Sequence, residues 1–379
     1  MKVGQTRTIR GAMGIAIVCL VGTASVRGQA GPEQNPQLAG DVFTNVPVLG
    51  GVPVDEFMDT MGMFSNALNM NCTDCHTANS MDSWDGFAEE TPLKQTARRM
   101  MAMMNTINRD NFSGARRVTC FTCHRGDQRP AAVAKLSVQY GVPPEDPNAF
   151  EVFPGFGTPS IDEVFDTYIQ ALGGAENLAI LTSFVGTGTY SGYDTDFAEV
   201  PTEAFVQAPD KLTTVVQGFY GDTVKTFDGR DAWIAAADRP VPLMRLTGGN
   251  LDGARIEALL AFPAGIQQAF SQWRVNVTAI DDREVLVAQG TNAGALPVNL
   301  YFDDSGLLVR SLRWTETAVG IIPTQVDYAD YREVSGVQIP FRMTVTWTNG
   351  ESATQFSEVQ PNVAIDAARF ARPAPAAPR

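Results

Sequence analysis

The pentapeptide C-x-x-C-H occurs twice in this chain, at residues 72–76 and again at 120–124. Two thiols that lie one short turn apart can each form a thioether to the edge of the same porphyrin. The histidine that follows is then carried beneath the iron, so the motif supplies both a covalent anchor and a fifth iron ligand. The sequence therefore predicts two covalent haem c groups, attached through Cys72 and Cys75 with His76, and through Cys120 and Cys123 with His124.

The cysteine and histidine counts favour this interpretation. The chain has 2 His and 5 Cys, and the two motifs contain both histidines and four of the cysteines. C-x-x-C also occurs in disulfide and zinc motifs. A histidine directly after the second cysteine, in both copies, is typical of haem attachment rather than of either alternative.

The first 30 residues have the pattern of a secretory signal peptide. Lys2, Arg7 and Arg10 precede an apolar run at 12–21, and small residues lead to Ala30. The run is too short to span a bilayer comfortably. A lipid anchor on Cys19 is disfavoured, because Val18 precedes it where a small residue is expected. We therefore expect an exported, periplasmic protein without a membrane span in its mature chain, which agrees with haem attachment outside the cytoplasm.

The acidity of the chain limits its partners and its chemistry. A net charge of −14 argues against a nucleic-acid partner. It favours solubility, and it could also steer a basic redox partner toward the protein. With both histidines in the motifs, no Ser-His-Asp or Cys-His site can be built. We expect no catalytic side chains and any chemistry to be that of the haems, which favours an electron carrier over an enzyme.

Each motif follows a predicted helix, at 53–68 and at 91–108. The first carries Met61 on its apolar face, and the second carries Met100, Met101, Met103 and Met104. A haem iron usually takes a sixth ligand, and methionine is the soft donor that remains once the histidines are used. The periodicity of the second helix does not choose among its methionines.

Residues 41–130 resemble the cytochrome c subunit of photosynthetic reaction centres and its non-photosynthetic relatives. The text that carries the resemblance is MGMFSNALNMNCTDCH at 61–76 and VTCFTCHRG at 118–126. The resemblance implies that His76 and Met61 bind the first iron, and that His124 and Met103 bind the second, with Met100 as the alternate. Reaction-centre subunits carry two such pairs of haems and this chain has one, so the resemblance implies electron transfer rather than photosynthesis.

The C-terminal half has a different texture. After a proline-rich linker at 131–159 and a capping box at 160–163, short strand-like runs alternate with turn signals as far as residue 371. This pattern predicts an antiparallel β-barrel or a strongly curved sheet, with a disordered tail at 372–379. Residues 166–174, 331–340 and 362–370 also resemble the half-open barrels of periplasmic lipoprotein carriers, which implies a possible hydrophobic ligand.

The predicted fold class is therefore α+β, with a mainly helical dihaem domain at 41–130 and a β-rich domain at 160–371. The function that we expect is a periplasmic c-type cytochrome that transfers electrons between redox proteins through two His/Met-ligated haems. Two alternatives remain. One is a haem enzyme or sensor for peroxide or a small gas, with one displaceable methionine, and the other is a carrier of a hydrophobic ligand.

Overall fold

A computed structural model describes residues 35–133, 148–237 and 239–376 of the chain. The predicted signal peptide, part of the predicted linker and the end of the predicted tail lie outside these ranges. The described chain contains helices and a large antiparallel sheet, which confirms the α+β class. The predicted domain boundaries stay predictions, and the described residues from Pro36 onward form one compact unit.

The helices around the two motifs begin and end at recognisable signals. Thr91 directly precedes the helix that starts at Pro92, and its side chain accepts the backbone N–H of Lys94. Asn69, in a left-handed conformation, ends the helix that finishes at Leu68. The α-helices of the described ranges are α1 (Ala39–Val42), α2 (Val54–Leu68), α3 (Cys72–Cys75), α4 (Pro92–Asn111), α5 (Cys120–His124), α6 (Ile161–Ala171), α7 (Ala175–Ile180) and α8 (Gly248–Ala261).

Thirteen strands form one sheet in the described chain. They are β1 (Ser183–Gly192), β2 (Val200–Gln207), β3 (Lys211–Gly218), β4 (Gly221–Phe227), β5 (Ala232–Ala235), β6 (Leu243–Arg245), β7 (Gln272–Ile280), β8 (Arg283–Thr291), β9 (Val298–Phe302), β10 (Leu308–Thr317), β11 (Gly320–Val334), β12 (Val337–Trp347) and β13 (Gly350–Pro361).

The strand order is β6-β5-β4-β3-β2-β1-β13-β12-β11-β10-β9-β8-β7. The chain starts in the middle of the sheet, runs outward to β6 and crosses through α8 to the far edge at β7. It then returns strand by strand, until β13 pairs with β1. Within the described residues β6 and β7 are edges that do not pair with each other, so the sheet is open. The closed-barrel form of the prediction is wrong.

The main apolar core lies between the sheet and helices α6 and α8. Phe165 and Tyr168 of α6 place their rings 6.1 Å and 5.1 Å from the ring of Phe302. A separate groove of about 840 Å³ has a mixed lining that includes Thr187, Glu203, Gln217, Asp330, Arg332 and Phe356. The hydrophobic ligand therefore stays a prediction.

Membrane insertion is a question of helix length and composition. None of the helices in the described ranges is both long enough and apolar enough to cross a bilayer.

Candidate haem-binding site

The first C-x-x-C-H motif forms a single capped turn of helix. The Asn71 side chain accepts the backbone N–H groups of Thr73 and Asp74, and the Asp74 carboxylate accepts the N–H of Asn71 at 2.8 Å. This reciprocal cap holds a helix that is too short to be stable by itself. Cys72 is exposed and Cys75 is half-buried, so both thiols lie at the surface of the turn.

His76 ends this turn, and its ring is held by the chain that follows. Its Nδ1 lies 3.1 Å from the carbonyl oxygen of Phe87, an acceptor that fixes the proton on Nδ1 and leaves the lone pair of Nε2 free. Burial lowers the pKa of His76, and the nearby Lys94 ammonium lowers it further. The Trp84 and Phe87 rings stack at 5.1 Å beside it. The neutral imidazole that results is the form that binds a metal.

The second motif is also a single turn of helix with a reciprocal cap, formed by different residues. The Thr119 side chain accepts the N–H of Thr122, and the Thr122 hydroxyl accepts the N–H of Thr119 at 3.0 Å. His124 Nδ1 lies 3.0 Å from the carbonyl oxygen of Asp127, so this ring is also oriented by a backbone acceptor. Cys123 is exposed. Cys120 is half-buried, and burial raises the pKa of its thiol to about 11.

Each motif contacts the helix that precedes the other motif. The Gly126 N–H donates to the carbonyl oxygen of Ala67, which joins the second motif to α2 at 3.0 Å. The Thr91 hydroxyl donates to the carbonyl oxygen of Cys75 at 2.7 Å, which joins α4 to the first motif. The two helix-turn-motif units are therefore interlocked rather than arranged in series.

The tip of the β10–β11 hairpin packs against the second motif. The Cys120 N–H donates to the carbonyl oxygen of Val319 at 3.2 Å, and the Arg116 guanidinium donates to the carbonyl oxygen of Thr317. Val319 is 1% exposed. The sheet thus completes the apolar cluster that lies under helices α2 and α4.

The methionines of α4 fall into two classes that periodicity alone could not separate. Met101 and Met104 are each 5% exposed and belong to the apolar cluster with Val319. Met100 and Met103 are 39% and 49% exposed, so their sulfur atoms are not committed to that cluster. On α2, Met63 is buried, and Met61 is half-buried at the edge of the same cluster. The assignment of Met61, Met103 and Met100 as iron ligands stays a prediction.

Large apolar side chains stand exposed in the stretch of sequence that joins the two motifs. Buried apolar side chains are the rule for residues of this size, and a cluster of exposed ones marks a binding surface. Together with the capped cysteine pairs and the oriented histidines, such side chains fit a flat apolar macrocycle. Besides Met100 and Met103, the exposed set between residues 81 and 121 comprises Met81, Trp84, Leu93, Phe112 and Phe121.

The four cysteines of the motifs are free thiols. In the ranges that the structure describes, no three His, Cys, Asp or Glu side chains converge in a way that could hold a metal ion.

Two polar residues that the sequence did not single out hold the region in place. Asn108 is 5% exposed, donates to the carbonyl oxygen of Val118 at 2.7 Å and accepts the N–H groups of Arg117 and Val118. It lies on the buried stripe with Met101 and Met104, so a polar residue on that stripe was the available signal.

The other is Asp55, which ties α2 to α8. Its carboxylate accepts the N–H of Thr247 at 2.6 Å and the Thr247 hydroxyl at 2.9 Å, and so caps the start of α8 from a distant segment. Asp59 accepts from Asn250 at 2.6 Å. Burial raises the pKa of Asp55 and of Glu56, and it raises the pKa of Asp59 to about 6.

Comparisons with known proteins divide the chain into two parts. Residues 22–144 match the family described as photosynthetic reaction centre cytochrome C subunit, which confirms the resemblance drawn from residues 41–130. Residues 256–359 match a family of unknown function, DUF6544.

Two curated relatives are photosynthetic reaction center cytochrome c subunits. The protein from Roseobacter denitrificans is 31% identical over 109 residues, which cover 27% of this chain and 29% of the relative. The protein from Rubrivivax gelatinosus is 34% identical over 112 residues, which cover 28% of each chain. This chain therefore spans less than a third of the length of the relatives that it matches.

Solved structures are similar over the second part of the chain. A DUF1329 family protein from Desulfovibrio piger has a TM-score of 0.39 and 9% identity, and covers 56% of this chain and 98% of its own. A LolA superfamily protein from Nitrosomonas europaea has a TM-score of 0.36 and 14% identity, with 54% and 97% covered. The LolA superfamily protein agrees with the resemblance to half-open carrier barrels drawn from the sequence. Both TM-scores are below 0.5, so these similarities indicate nothing about function.

Proposed function

We propose that this chain is an exported c-type cytochrome that holds two haem c groups and transfers electrons between redox proteins. The observation that carries the proposal is the repeated geometry of the motifs. In each, a capped turn presents two cysteines, and the histidine that ends the turn has its Nδ1 fixed by a backbone carbonyl. The match of residues 22–144 to a cytochrome c subunit family supports the same function.

The residues have distinct roles in this proposal. Cys72 and Cys75 would hold the first haem, and Cys120 and Cys123 the second. His76 and His124 would each bind an iron through Nε2, and a methionine would complete each iron, Met61 for the first and Met103 for the second, with Met100 as the alternate. A haem with two protein ligands supplies reversible one-electron chemistry without an open site for substrate.

The first experiment counts the haems. The full chain is expressed with its export signal in a host that matures c-type cytochromes, and haem is quantified after alkaline pyridine treatment. We expect two haems per chain, and one after either Cys72→Ala/Cys75→Ala or Cys120→Ala/Cys123→Ala. A wild-type protein with no covalent haem overturns the proposal.

The second experiment identifies the sixth ligands. The ferric protein should show the red charge-transfer band of methionine-ligated haem, and Met61→Ala or Met103→Ala should each remove part of it. The matched control is Met104→Leu, because Met104 is packed in the apolar cluster and should leave the band unchanged. Loss of the band in Met100→Ala instead of Met103→Ala would move the assignment to Met100. High-spin spectra with rapid peroxide turnover in the wild-type protein would favour a haem enzyme.

A further inference from the structure

The charges of the helix-turn-motif region are strongly divided. Residues 41–90, which contain the first motif, include nine Asp or Glu and no Lys or Arg. Residues 91–129, which contain the second motif, include eight Lys or Arg and two Asp. A net charge of about −9 thus lies beside a net charge of about +6 within one 89-residue region of an acidic protein.

Part of the positive charge belongs spatially to the first motif. The Lys94 ammonium donates to the carbonyl oxygens of Phe87 and Glu89, and Arg98 forms an ion pair with Glu90 at 2.6 Å. Even with Lys94 and Arg98 counted, the region of the first motif keeps a negative net charge. Its exposed carboxylates include Asp74, Asp82 and Asp85, the first of which lies inside the motif itself.

The remaining cations gather around the second motif. Arg117 lies three residues before the motif, Arg125 directly follows it and Arg129 lies four residues further on; all three are exposed. None of the ion pairs found in the described part of the chain involves them. Phe121, which lies within the second motif, is 45% exposed. We call Arg117, Phe121, Arg125 and Arg129 the arginine face.

An unequal distribution of charge around two haems gives their irons different reduction potentials. Nearby carboxylates stabilise the more positive ferric state, whereas nearby guanidinium groups stabilise the ferrous state. Because the screening length is about 8 Å at physiological ionic strength, groups within and beside each motif act mainly on their own haem. On this distribution of charge the first haem would be the better reductant and the second the better oxidant.

We propose that electrons enter at the first haem and leave from the second, and that the arginine face docks an acidic one-electron acceptor protein. This inference rests on the proposed function. One electron passes from the ferrous iron of the first haem to the ferric iron of the second, and then to the oxidised acceptor. A basic one-electron donor protein that meets the carboxylates of the first unit restores the first iron. No proton and no bond is exchanged.

The first test is a potentiometric titration of the holoprotein at physiological ionic strength, where the screening length is about 8 Å. In Arg117→Gln/Arg125→Gln/Arg129→Gln we expect the higher-potential step to move to lower potential while the lower step stays. The control removes the same charge from exposed arginines of the sheet, as Arg274→Gln/Arg283→Gln/Arg342→Gln, and should move neither step. A shift of the lower-potential step, or of neither step, overturns the proposal.

The second test uses small oxidants of opposite charge. Ferricyanide stands in for an acidic acceptor, and tris(phenanthroline)cobalt(III) carries the opposite charge. The arginine-face variant should lose roughly tenfold in its oxidation rate by ferricyanide at low salt, and nothing with the cobalt complex. An unchanged ferricyanide rate overturns the docking face. Two covalent haems with reversed potentials would refute this inference alone, whereas absence of covalent haem would refute the proposed function.

Discussion

The carboxylate of Asp55 accepts the backbone N–H of Thr247 at 2.6 Å, across 192 residues of chain. Asp55 opens the helix that leads to the first motif, and Thr247 begins the helix that crosses the sheet. The contact is buried, with Asp55 only 3% exposed. The orientation of the methionine-bearing helix is therefore set partly by a segment with no motif in it.

Asp55→Ala should destabilise the protein. The change leaves the Thr247 N–H and hydroxyl without their acceptor, and loss of a buried, charged hydrogen bond costs about 1–3 kcal/mol in the free energy of unfolding. Urea denaturation of the holoprotein measures it. Asp41→Ala, at an exposed position, is the control and should stay within about 0.5 kcal/mol. Equal effects of the two substitutions would contradict the buried contact.

The contribution of Asp59 to the stability of the protein should fall as the pH rises from 4 to 7. Burial raises the pKa of Asp59 to about 6, above its ordinary value near 3.8, so the folded state binds a proton that the unfolded state has lost. This contribution is complete below about pH 4 and disappears as the pH passes the folded pKa near 6. The expected loss is about 1–3 kcal/mol, since one pKa unit corresponds to about 1.4 kcal/mol.

Urea titrations at several pH values follow this loss, and Asp59→Asn should flatten it. A variant that keeps the full wild-type slope between pH 4 and 7 would show that other groups are responsible.

Gly86→Ala should disturb the first motif selectively. An added Cβ would lie 2.3 Å from the carbonyl carbon of Asn79 and 2.5 Å from the nitrogen of Ser80, both backbone atoms. Relief of this clash must shift Phe87, whose carbonyl holds His76. We expect a loss of about 1–3 kcal/mol in stability and an altered spectrum of one haem.

Gly51→Ala is the control for Gly86→Ala, because its added Cβ meets nothing within 4 Å. If both variants leave the haem spectrum intact, the Phe87 carbonyl is not needed to orient His76.

Asn108→Ala should act on the second motif. It removes three hydrogen bonds that hold Arg117 and Val118 ahead of Cys120, and leaves buried backbone groups unpaired at a cost of about 2–4 kcal/mol. Thermal unfolding and the haem spectrum report the two consequences. Asn111→Ala is the matched control: it lies one turn further along the same helix, is exposed and makes one hydrogen bond, so the same change there should be nearly silent.

Local signals in the sequence predicted the helices well. Thr91 and Pro92 marked the start of α4, and the apolar spacing of α2 placed its end at Leu68. The local strand signal is weak in β2 and β4, because Pro201 and Glu203 interrupt the first and Asp222 and Lys225 the second. Pairing with neighbouring strands imposes these elements against their own composition.

Some residues of the candidate site follow from local sequence, and others depend on contacts between distant segments. The cysteine and histidine positions follow from five-residue spacing, so the sequence alone predicts them. The separation of Met100 and Met103 from Met101 and Met104 depends on what covers α4, which is the tip of a hairpin far along the chain. No local periodicity carries that information, and the same holds for the contact of Val319 with Cys120.

The contact between Cys120 and Val319 bears on how the protein would mature. Haem is joined to thiols that are within reach, and in the folded chain Val319 holds the Cys120 amide while burial raises the pKa of the Cys120 thiol to about 11. The β10–β11 hairpin is synthesised long after the second motif. On the proposed function, haem attachment at Cys120 would precede the docking of this hairpin. The β10–β11 hairpin would thus cover the second motif only after the haem has been attached.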